Sequence, residues 1–331
     1  MTYTDPKSRA ARHRPKHPRA RLVLAAHEDL ARCACAWQMS RFRTTARLAR
    51  ALGRRPTERI VHDVRVACRR MREALAFFEG VEGVPAVPKV ERAARRMARA
   101  VRRARELAVA MRTLRGLGQR PLVVEAERTR RALLAALRRP DRAAIVRQRR
   151  RWAKRAARLE HAIAQALPEL RERSAGRLDT ADPGVRRWLE RRLASRQTEV
   201  VRRLRELAKS TGERRASPCA ELHRIRVAIK HWRYAGEIAA GAVPGHRRSS
   251  APLATLRRLQ DLGGRAQDFA DLAQMVREAA RALARGHARG APALLQEIEA
   301  ERARAAAAFV DALRKLVARG RRRTGTRRQK S

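Results

Sequence analysis

The chain has 331 residues, and its 81 Lys and Arg against 32 Asp and Glu give a formal net charge of +49. Hydrophobic residues make up 44% of the sequence and aromatic residues only 3%, which favours an all-α core of Ala, Leu and Val over a β-sandwich. No apolar stretch reaches the roughly 18 residues that a transmembrane helix needs. The stretch Leu22–Ala26 is also too short for a signal peptide. We therefore expect no membrane insertion.

Four cysteines are too few for a disulfide framework in a chain of this length, and their spacing predicts no metal site: Cys33, Cys35, Cys68 and Cys219. This cysteine usage fits a reducing cytoplasm, and we expect no cofactor. The charge predicts a polyanionic partner, because so much self-repulsion opposes the compact state. Candidates are DNA, RNA, an anionic membrane surface and a phosphate polymer.

Helical segments are predicted along most of the chain, between two basic ends. Residues 1–21 carry Pro, His, Lys and Arg without an apolar period, which predicts a disordered tail, and residues 319–331 predict a second one. Between them the apolar residues recur with helical periodicity, in pieces of the length typical of bundle helices. The polar segment 172–184 predicts a linker. Gly and Pro predict the other breaks: Gly53–Pro56, Gly80–Pro88, Gly116–Pro121, Pro140, Ser210–Pro218, Gly241–Pro252 and Gly286–Pro292.

An internal repeat is the most informative feature of the sequence. VHDVRVACRRMREAL begins at Val61, and LHRIRVAIKHWRYAG begins at Leu222. Both contain a His-x-x-Arg-Val-Ala core, 161 residues apart (223 − 62), and the chain has only nine His with which to produce such a match. The matched polar pairs are His62 and His223, Arg65 and Arg226, Arg69 and Lys230, Arg70 and His231, and Arg72 and Arg233.

A second set of matched basic residues follows each motif at a similar distance. In each half two arginines stand seven residues apart: Arg96 and Arg103 in the first, Arg258 and Arg265 in the second. The repeat therefore predicts two related helical halves, residues 22–171 and 185–318, with an equivalent helix pair in each.

Helical geometry places the matched cations on one face of each motif helix. His62, Arg65, Arg69 and Arg72 are spaced 3, 4 and 3 residues apart, and the second motif repeats this spacing. An apolar stripe lies beside each basic stripe: Val61, Val64, Cys68, Met71, Leu75 and Phe78 in the first helix, and Leu222, Ile225, Ile229 and Trp232 in the second. A solvated helix face is the alternative interpretation. Because a solvated face normally mixes both signs of charge, these nearly all-cationic stripes favour a linear polyanion lying along them.

These motifs resemble those of the CHAD domain, the conserved histidine α-helical domain. Its hallmark, His-x-x-Arg-Val-x-x-Arg/Lys-Arg-x-Arg near the start of each half, is similar to both repeats, and LQDLGGRAQDFADL (Leu259–Leu272) is close to the second family element. The first-half counterpart, MARAVRRARELAVAM, is weaker, with Glu106 and Ala108 where Asp is common. The resemblance covers roughly residues 22–318. It implies two four-helix bundles with long antiparallel helices, related by pseudo-twofold symmetry.

The resemblance further implies binding of inorganic polyphosphate on a basic surface or cleft, and association with polyphosphate granules in the cytoplasm. The binding residues predicted from the repeat and the resemblance are His62, Arg65, Arg69, Arg70, Arg72, Arg96, Arg103, His223, Arg226, Lys230, His231, Arg233, Arg258 and Arg265. We expect no catalysis, because the sequence lacks a GxxxxGK[ST] phosphate loop, an HExxH motif and paired carboxylates in the stripes. No obligate protein partner is evident. The alternative function is non-specific nucleic-acid binding or compaction, since counterion release favours any dense polyanion.

Overall fold

The computed structural model describes residues 18–119, 121–138, 142–176, 182–210, 218–242, 253–281 and 288–328. These residues form ten helices and no strand, which confirms the predicted all-α fold. The helices are α1 (Pro18–Arg54), α2 (Glu58–Phe77), α3 (Pro88–Ala100), α4 (Arg102–Leu117), α5 (Val124–Leu137), α6 (Arg142–Arg173), α7 (Pro183–Ser210), α8 (Pro218–Ala242), α9 (Leu253–Ala280) and α10 (Ala291–Arg328).

Side-chain caps and glycines define several helix ends. The Thr57 hydroxyl accepts a hydrogen bond from the Ile60 N–H at 3.2 Å and so caps the start of α2. Asp182 does the same for α7, since its carboxylate accepts from the Val185 N–H at 3.0 Å. After α2 the chain turns through Gly80, whose φ of 78° lies in the left-handed region that favours glycine.

The first hydrophobic core lies among α1, α2, α3 and α6. The apolar stripe predicted for α2 points into it, and Val64, Cys68 and Met71 are fully buried there. Phe42 of α1 and Leu159 of α6 pack into the same core. Each such side chain contributes about 1.5–3 kcal/mol on burial, which is what holds the four helices together.

The second core is the counterpart of the first, among α7, α8, α9 and α10. Ile225, Ile229 and Trp232 of α8 are buried in it, as the second apolar stripe predicts. Gly263 of α9 lets the Phe309 ring of α10 approach closely, because a Cβ built on Gly263 would lie 3.0 Å from that ring. Superposition of the two halves by pseudo-twofold symmetry is compatible with these cores and stays a prediction.

Two further cores join the halves. One lies where α1, α2, α7 and α8 meet, and it includes the stacked pair Phe78 and Trp188, whose ring centroids are 5.8 Å apart. The other lies among α4, α5, the end of α9 and the start of α10, and buries Leu114, Leu133 and Leu294. The first half thus contains six helices, of which α4 and α5 pack against helices of the second half.

A helix break at Val101 separates α3 from α4, where the sequence predicts no break. The buried Trp152 of α6 donates its indole N–H to the Ala100 carbonyl at 2.9 Å. Ala100 is the last residue of α3. In a continuous helix its carbonyl would accept a backbone hydrogen bond from the next turn, and here the indole N–H donates to it instead. The corresponding helix of the second half, α9, runs without interruption.

The chain ends differ in part from the predicted tails. Helix α1 begins at Pro18, and the backbone of α10 continues to Arg328, so residues 319–328 are helical rather than part of a disordered segment. Arginine has a high helix propensity and no proline interrupts this stretch. Residues 1–17 and 329–331 lie outside the described residues. Among the described helices, none is long and apolar enough to cross a membrane.

Candidate functional site

A basic cleft of about 760 Å³ lies between the two halves. Helices α2 and α4 form its first wall, and α8 and α9 form its second. Nine Lys and Arg side chains line it: Arg65, Arg69, Arg102, Arg103, Arg105, Arg226, Lys230, Arg233 and Arg265. Five acidic side chains also line it: Glu106, Asp261, Asp268, Asp271 and Glu278. The lining therefore carries a clear excess of positive charge, which favours the binding of an anion.

Eight of the fourteen predicted site residues line this cleft together: His62, Arg65, Arg69, Arg103, Arg226, Lys230, Arg233 and Arg265. The repeat places them there because α2 and α8 pack side by side. On each helix the positions separated by three and four residues share the face toward the cleft. The two basic stripes, 161 residues apart in sequence, thus become opposite parts of one surface.

The glutamines of α9 hold two motif side chains of α8 in place. The Arg233 side chain is almost fully buried, and its Nε donates to Gln260 Oε1 at 2.8 Å. His223 Nδ1 lies 2.8 Å from Gln267 Oε1, although His223 itself is exposed at the edge of the cleft and borders a cavity between α7 and α8. Gln267 in turn donates to Asp271 at 2.9 Å. These bonds fix side chains that would otherwise be free to move.

Arg70 and His231 contact glutamates across the interface between the halves and do not line the cleft, in contrast to the prediction. Arg70 lies 3.4 Å from Glu237 of α8, and His231 pairs with Glu73 of α2. Both acids are largely buried, so each needs such a polar or charged partner. The motif residues therefore divide into a cleft-facing set and a set that joins α2 to α8.

Three other predicted residues also lie outside the cleft. Arg72 of α2 is half-buried, and its buried Nε has no hydrogen-bond partner among the described residues. Arg258 is exposed and precedes Gln260, the first residue of α9 to reach the cleft. Arg96 faces a separate groove between α3 and α6, because the break at Val101 ends the helix face that it would share with Arg103.

Arg102 and Arg105 line the cleft and are absent from the predicted site. Arg102 Nε also donates to Glu106 at 2.6 Å within α4. Their spacing of three residues on one helix face is a signal that the sequence contains, but unlike Arg103 they have no matching arginine in the second half at the seven-residue spacing. The α9 side chains Gln260 and Gln267 were also not predicted, although they too are seven residues apart.

The crowding of cations changes the pKa values of side chains that line the cleft. Burial and, after it, the neighbouring Arg226, Arg69 and Arg65 together lower the pKa of Lys230 from its ordinary value of 10.5 to about 7, against the opposing effect of Asp268. Burial, followed by the nearby arginines, also lowers the pKa of His62. Without a ligand, therefore, the cleft holds positive charge at a cost in free energy that an anion would relieve.

Among the acidic residues of the cleft, Asp268 lies close to several arginines and to Asp271. Burial raises the pKa of Asp268, while Arg105 and Arg226 oppose the rise. In the described parts of the chain no group of three or more His, Cys, Asp and Glu side chains is arranged to hold a metal ion. The arrangement can hold a multiply charged anion through several charge-assisted hydrogen bonds.

These features define an all-α protein with a basic cleft between two packed bundles. The profile of the CHAD domain family matches residues 40–277, and the chain therefore belongs to the CHAD domain family. A solved structure with the same fold is the crystal structure of the CHAD domain from the plant Ricinus communis. It has a TM-score of 0.63 and 18% sequence identity, and the match covers 86% of this chain and 91% of that chain. No curated protein sequence matches this chain.

Proposed function

We propose that this protein binds inorganic polyphosphate in the cleft between its two halves, without catalysing a reaction on it. The observation that carries the proposal is the meeting of both duplicated stripes in one cleft. Two separate solvated helix faces would not bring Arg65 and Arg69 of α2 close enough to lower the pKa of Lys230 on α8. Membership in a family associated with polyphosphate binding supports the same ligand.

A linear ligand fits the arrangement better than a single small anion. The cleft-facing part of the α2 stripe runs from His62 to Arg69, and that of α8 from Arg226 to Arg233. At 1.5 Å of rise per residue, each covers about 10 Å, so the cations are spread along a track. A polymer with a charge on every unit can contact all of them, and its affinity should rise with chain length.

Nucleic acid fits the cleft less well. Binding of single strands relies on exposed aromatic side chains on which bases stack. Tyr234, the aromatic residue of the lining, is almost fully buried and lies under the Arg233 guanidinium at 4.3 Å. Among the described residues the exposed large apolar side chains are Val123, Val124 and Val146, none of them aromatic.

The test is a competition experiment with matched variants. Long-chain polyphosphate and duplex DNA compete at equal phosphate concentration and near-physiological salt, with Kd measured for the native protein and for R65A/R69A/R226A. Each lost contact is worth about 0.5 kcal/mol or more after screening, so the triple variant should bind polyphosphate about tenfold or more weakly. The control is R187A/R191A/R314A, which removes the same charge from exposed positions outside the cleft.

Equal losses in the two triple variants would reject the proposal, because binding would then depend on overall charge alone. Preference for duplex DNA over polyphosphate would favour the alternative function instead. We also propose that the protein resides at polyphosphate granules in the cytoplasm. A fluorescent fusion that stays dispersed in cells rich in granules would contradict this location, provided that the purified fusion still binds the polymer.

A further inference from the structure

A second basic surface lies on the first bundle, in the groove between α3 and α6. It has a volume of about 230 Å³, and two small side chains, Ala93 and Ala162, leave room between the helices. Five cations surround it: Lys89, Arg92, Arg96, Arg155 and Arg158. Their spacing of three and four residues on α3, and of three on α6, puts each set on the helix face that borders the groove.

These five cations are not neutralised by neighbouring carboxylates. The acid of α3, Glu91, pairs with Arg95 at 2.7 Å, and the nearest acid of α6, Glu160, pairs with Arg50 of α1 at 2.8 Å. Both acids are thus occupied by arginines outside the groove. In the part of the chain that the structure describes, none of the five groove cations has an acidic partner within ion-pair distance. An ordinary solvated helix surface would pair such charges internally.

The groove and the cleft lie on different sides of the molecule. The first bundle packs against the second half through α1 and α2, which contact α7 and α8. Helices α3 and α6 form the other side of that bundle, and no residue lines both the groove and the cleft. Along the chain, the break at Val101 lies between the residues of α3 that line the groove and the residues of α4 that line the cleft.

We propose that the α3–α6 groove is a second binding site for a phosphate polyanion, so that one protein molecule holds two polyphosphate chains, or two distant parts of one chain. Guanidinium groups from two helices lie along the same groove, and this arrangement suits the repeated phosphates of such a ligand. The assignment of polyphosphate as the ligand rests on the proposed function of the cleft. Two sites on different sides make the protein a crosslinker of the polymer.

The two sites should differ in strength and in their response to salt. Four of the five groove cations are exposed, whereas the key cations of the cleft, such as Arg65, Arg226 and Lys230, are partly buried. Exposed charges are screened by salt within about 10 Å at 0.1 M ionic strength, and exposed ion pairs contribute little each. The groove should therefore release its ligand at a lower salt concentration than the cleft does.

The first test counts sites with tripolyphosphate, which is too short to span both surfaces, by isothermal titration calorimetry at low salt. The native protein should bind it at two classes of site. R92A/R96A/R158A should lose the weaker class and keep the stronger, and R65A/R69A/R226A should do the reverse. The control R187A/R191A/R314A carries the same charge change and should keep both classes.

Each failure in this titration has its own signature. If the groove variant keeps both classes of site, the second site is rejected, and the proposed function of the cleft still stands. Loss of the groove class alone, with no effect of the cleft variant, would overturn the function of the cleft instead. Duplex DNA and polyphosphate can also be compared as competitors for the groove. If DNA displaces tripolyphosphate at a lower phosphate concentration than polyphosphate does, the ligand assignment is wrong.

The second test measures crosslinking by light scattering as long-chain polyphosphate is added to the protein. With two sites, scattering should rise to a maximum and fall again when excess polymer occupies each site separately. The groove variant should lose this maximum and keep its affinity in the cleft. The variant should also melt at a higher temperature than the native protein at low salt, because it removes mutual repulsion. An unchanged scattering maximum together with a lower melting temperature would show that these arginines serve the fold only.

Discussion

Raising the pH from 7 to 9 should weaken polyphosphate binding in the cleft through the deprotonation of Lys230. Its pKa in the free protein is about 7, because burial and the neighbouring arginines oppose its charge. A bound phosphate supplies the opposite charge and should return the pKa toward the ordinary value of 10.5. Since the bound state then holds the proton more tightly, this contribution to affinity is complete below pH 7 and is lost as the pH rises above it.

The size of the effect follows from the linkage between protonation and binding. Between pH 7 and the pKa of the bound state, each pH unit can weaken affinity by up to about tenfold, which corresponds to about 1.4 kcal/mol. Binding should take up about half a proton at pH 7 and about 0.9 of a proton at pH 8. His62 contributes in a lower range, because its pKa in the free protein lies below its ordinary value of 6.5.

Calorimetry in two buffers with different heats of ionisation measures this proton uptake directly. Long-chain polyphosphate is the appropriate ligand, because its terminal phosphates, which titrate near pH 6, are few. K230R keeps the charge but does not titrate in this range, so it should bind without the uptake at pH 8. K230M should bind more weakly and also lack the uptake.

Two results would refute the argument for Lys230. One is an affinity of the native protein that does not change between pH 7 and pH 9. The other is a K230R variant that shows the full pH dependence of the native protein, since the proton would then belong to another group.

Three further predictions concern the stability of the fold and the state of its thiols. Glu237→Gln should lower the free energy of unfolding by about 2–3 kcal/mol in urea titrations, because Glu237 is largely buried and pairs with Arg233 of its own helix and with Arg70 of α2. Gly290→Ala should lower it by about 1–3 kcal/mol, because the new Cβ would overlap the Glu125 carbonyl oxygen at the start of α5. Cys68, buried with a pKa of about 12, should resist thiol reagents until the protein unfolds, as followed by absorbance.

Matched controls separate these predictions from general effects of mutation. Asp311→Asn breaks an exposed pair with Lys315 and should cost less than about 1 kcal/mol, so a similar loss for Glu237→Gln would contradict its buried role. Gly264→Ala places a Cβ in open space within α9 and should stabilise the helix by about 0.5–1 kcal/mol. A stabilising Gly290→Ala would therefore refute the close approach at α5. The thiol assay uses a Cys219→Ser background, in which rapid labelling of Cys68 would refute its burial.

The sequence predicts the helices and the two basic stripes well, because both depend on local periodicity. The spacing from His62 to Arg69 defines a helix face wherever the helix packs, and its duplicate at Arg226 and Lys230 indicates that both faces serve one purpose. Local periodicity does not reveal which side of the stripe meets another helix. Arg70 is one residue from Arg69, yet it pairs with Glu237 across the interface between the halves.

The misplacement of Arg96 has a different physical cause. It results from a tertiary hydrogen bond, donated by Trp152 from a helix about fifty residues away in sequence, to the carbonyl that ends α3. Helix propensity alone contains no trace of that bond. The same limit applies to α4 and α5, whose association with α9 and α10 depends on packing rather than on any pattern within the first half.

The packing of α4 and α5 also affects how the protein folds during its synthesis. Their apolar faces, which include Leu114 and Leu133, are complete once α5 is made, whereas their partner Leu294 emerges only after α6 to α9. Until then these faces remain uncovered, and α4 has no support for the arginines that it contributes to the cleft. The nascent protein can therefore assemble its first bundle first, but it acquires the cleft only after α8, α9 and the start of α10 have been made. A truncated chain that ends before α9 should consequently have a folded first bundle that keeps the α3–α6 groove but lacks the cleft.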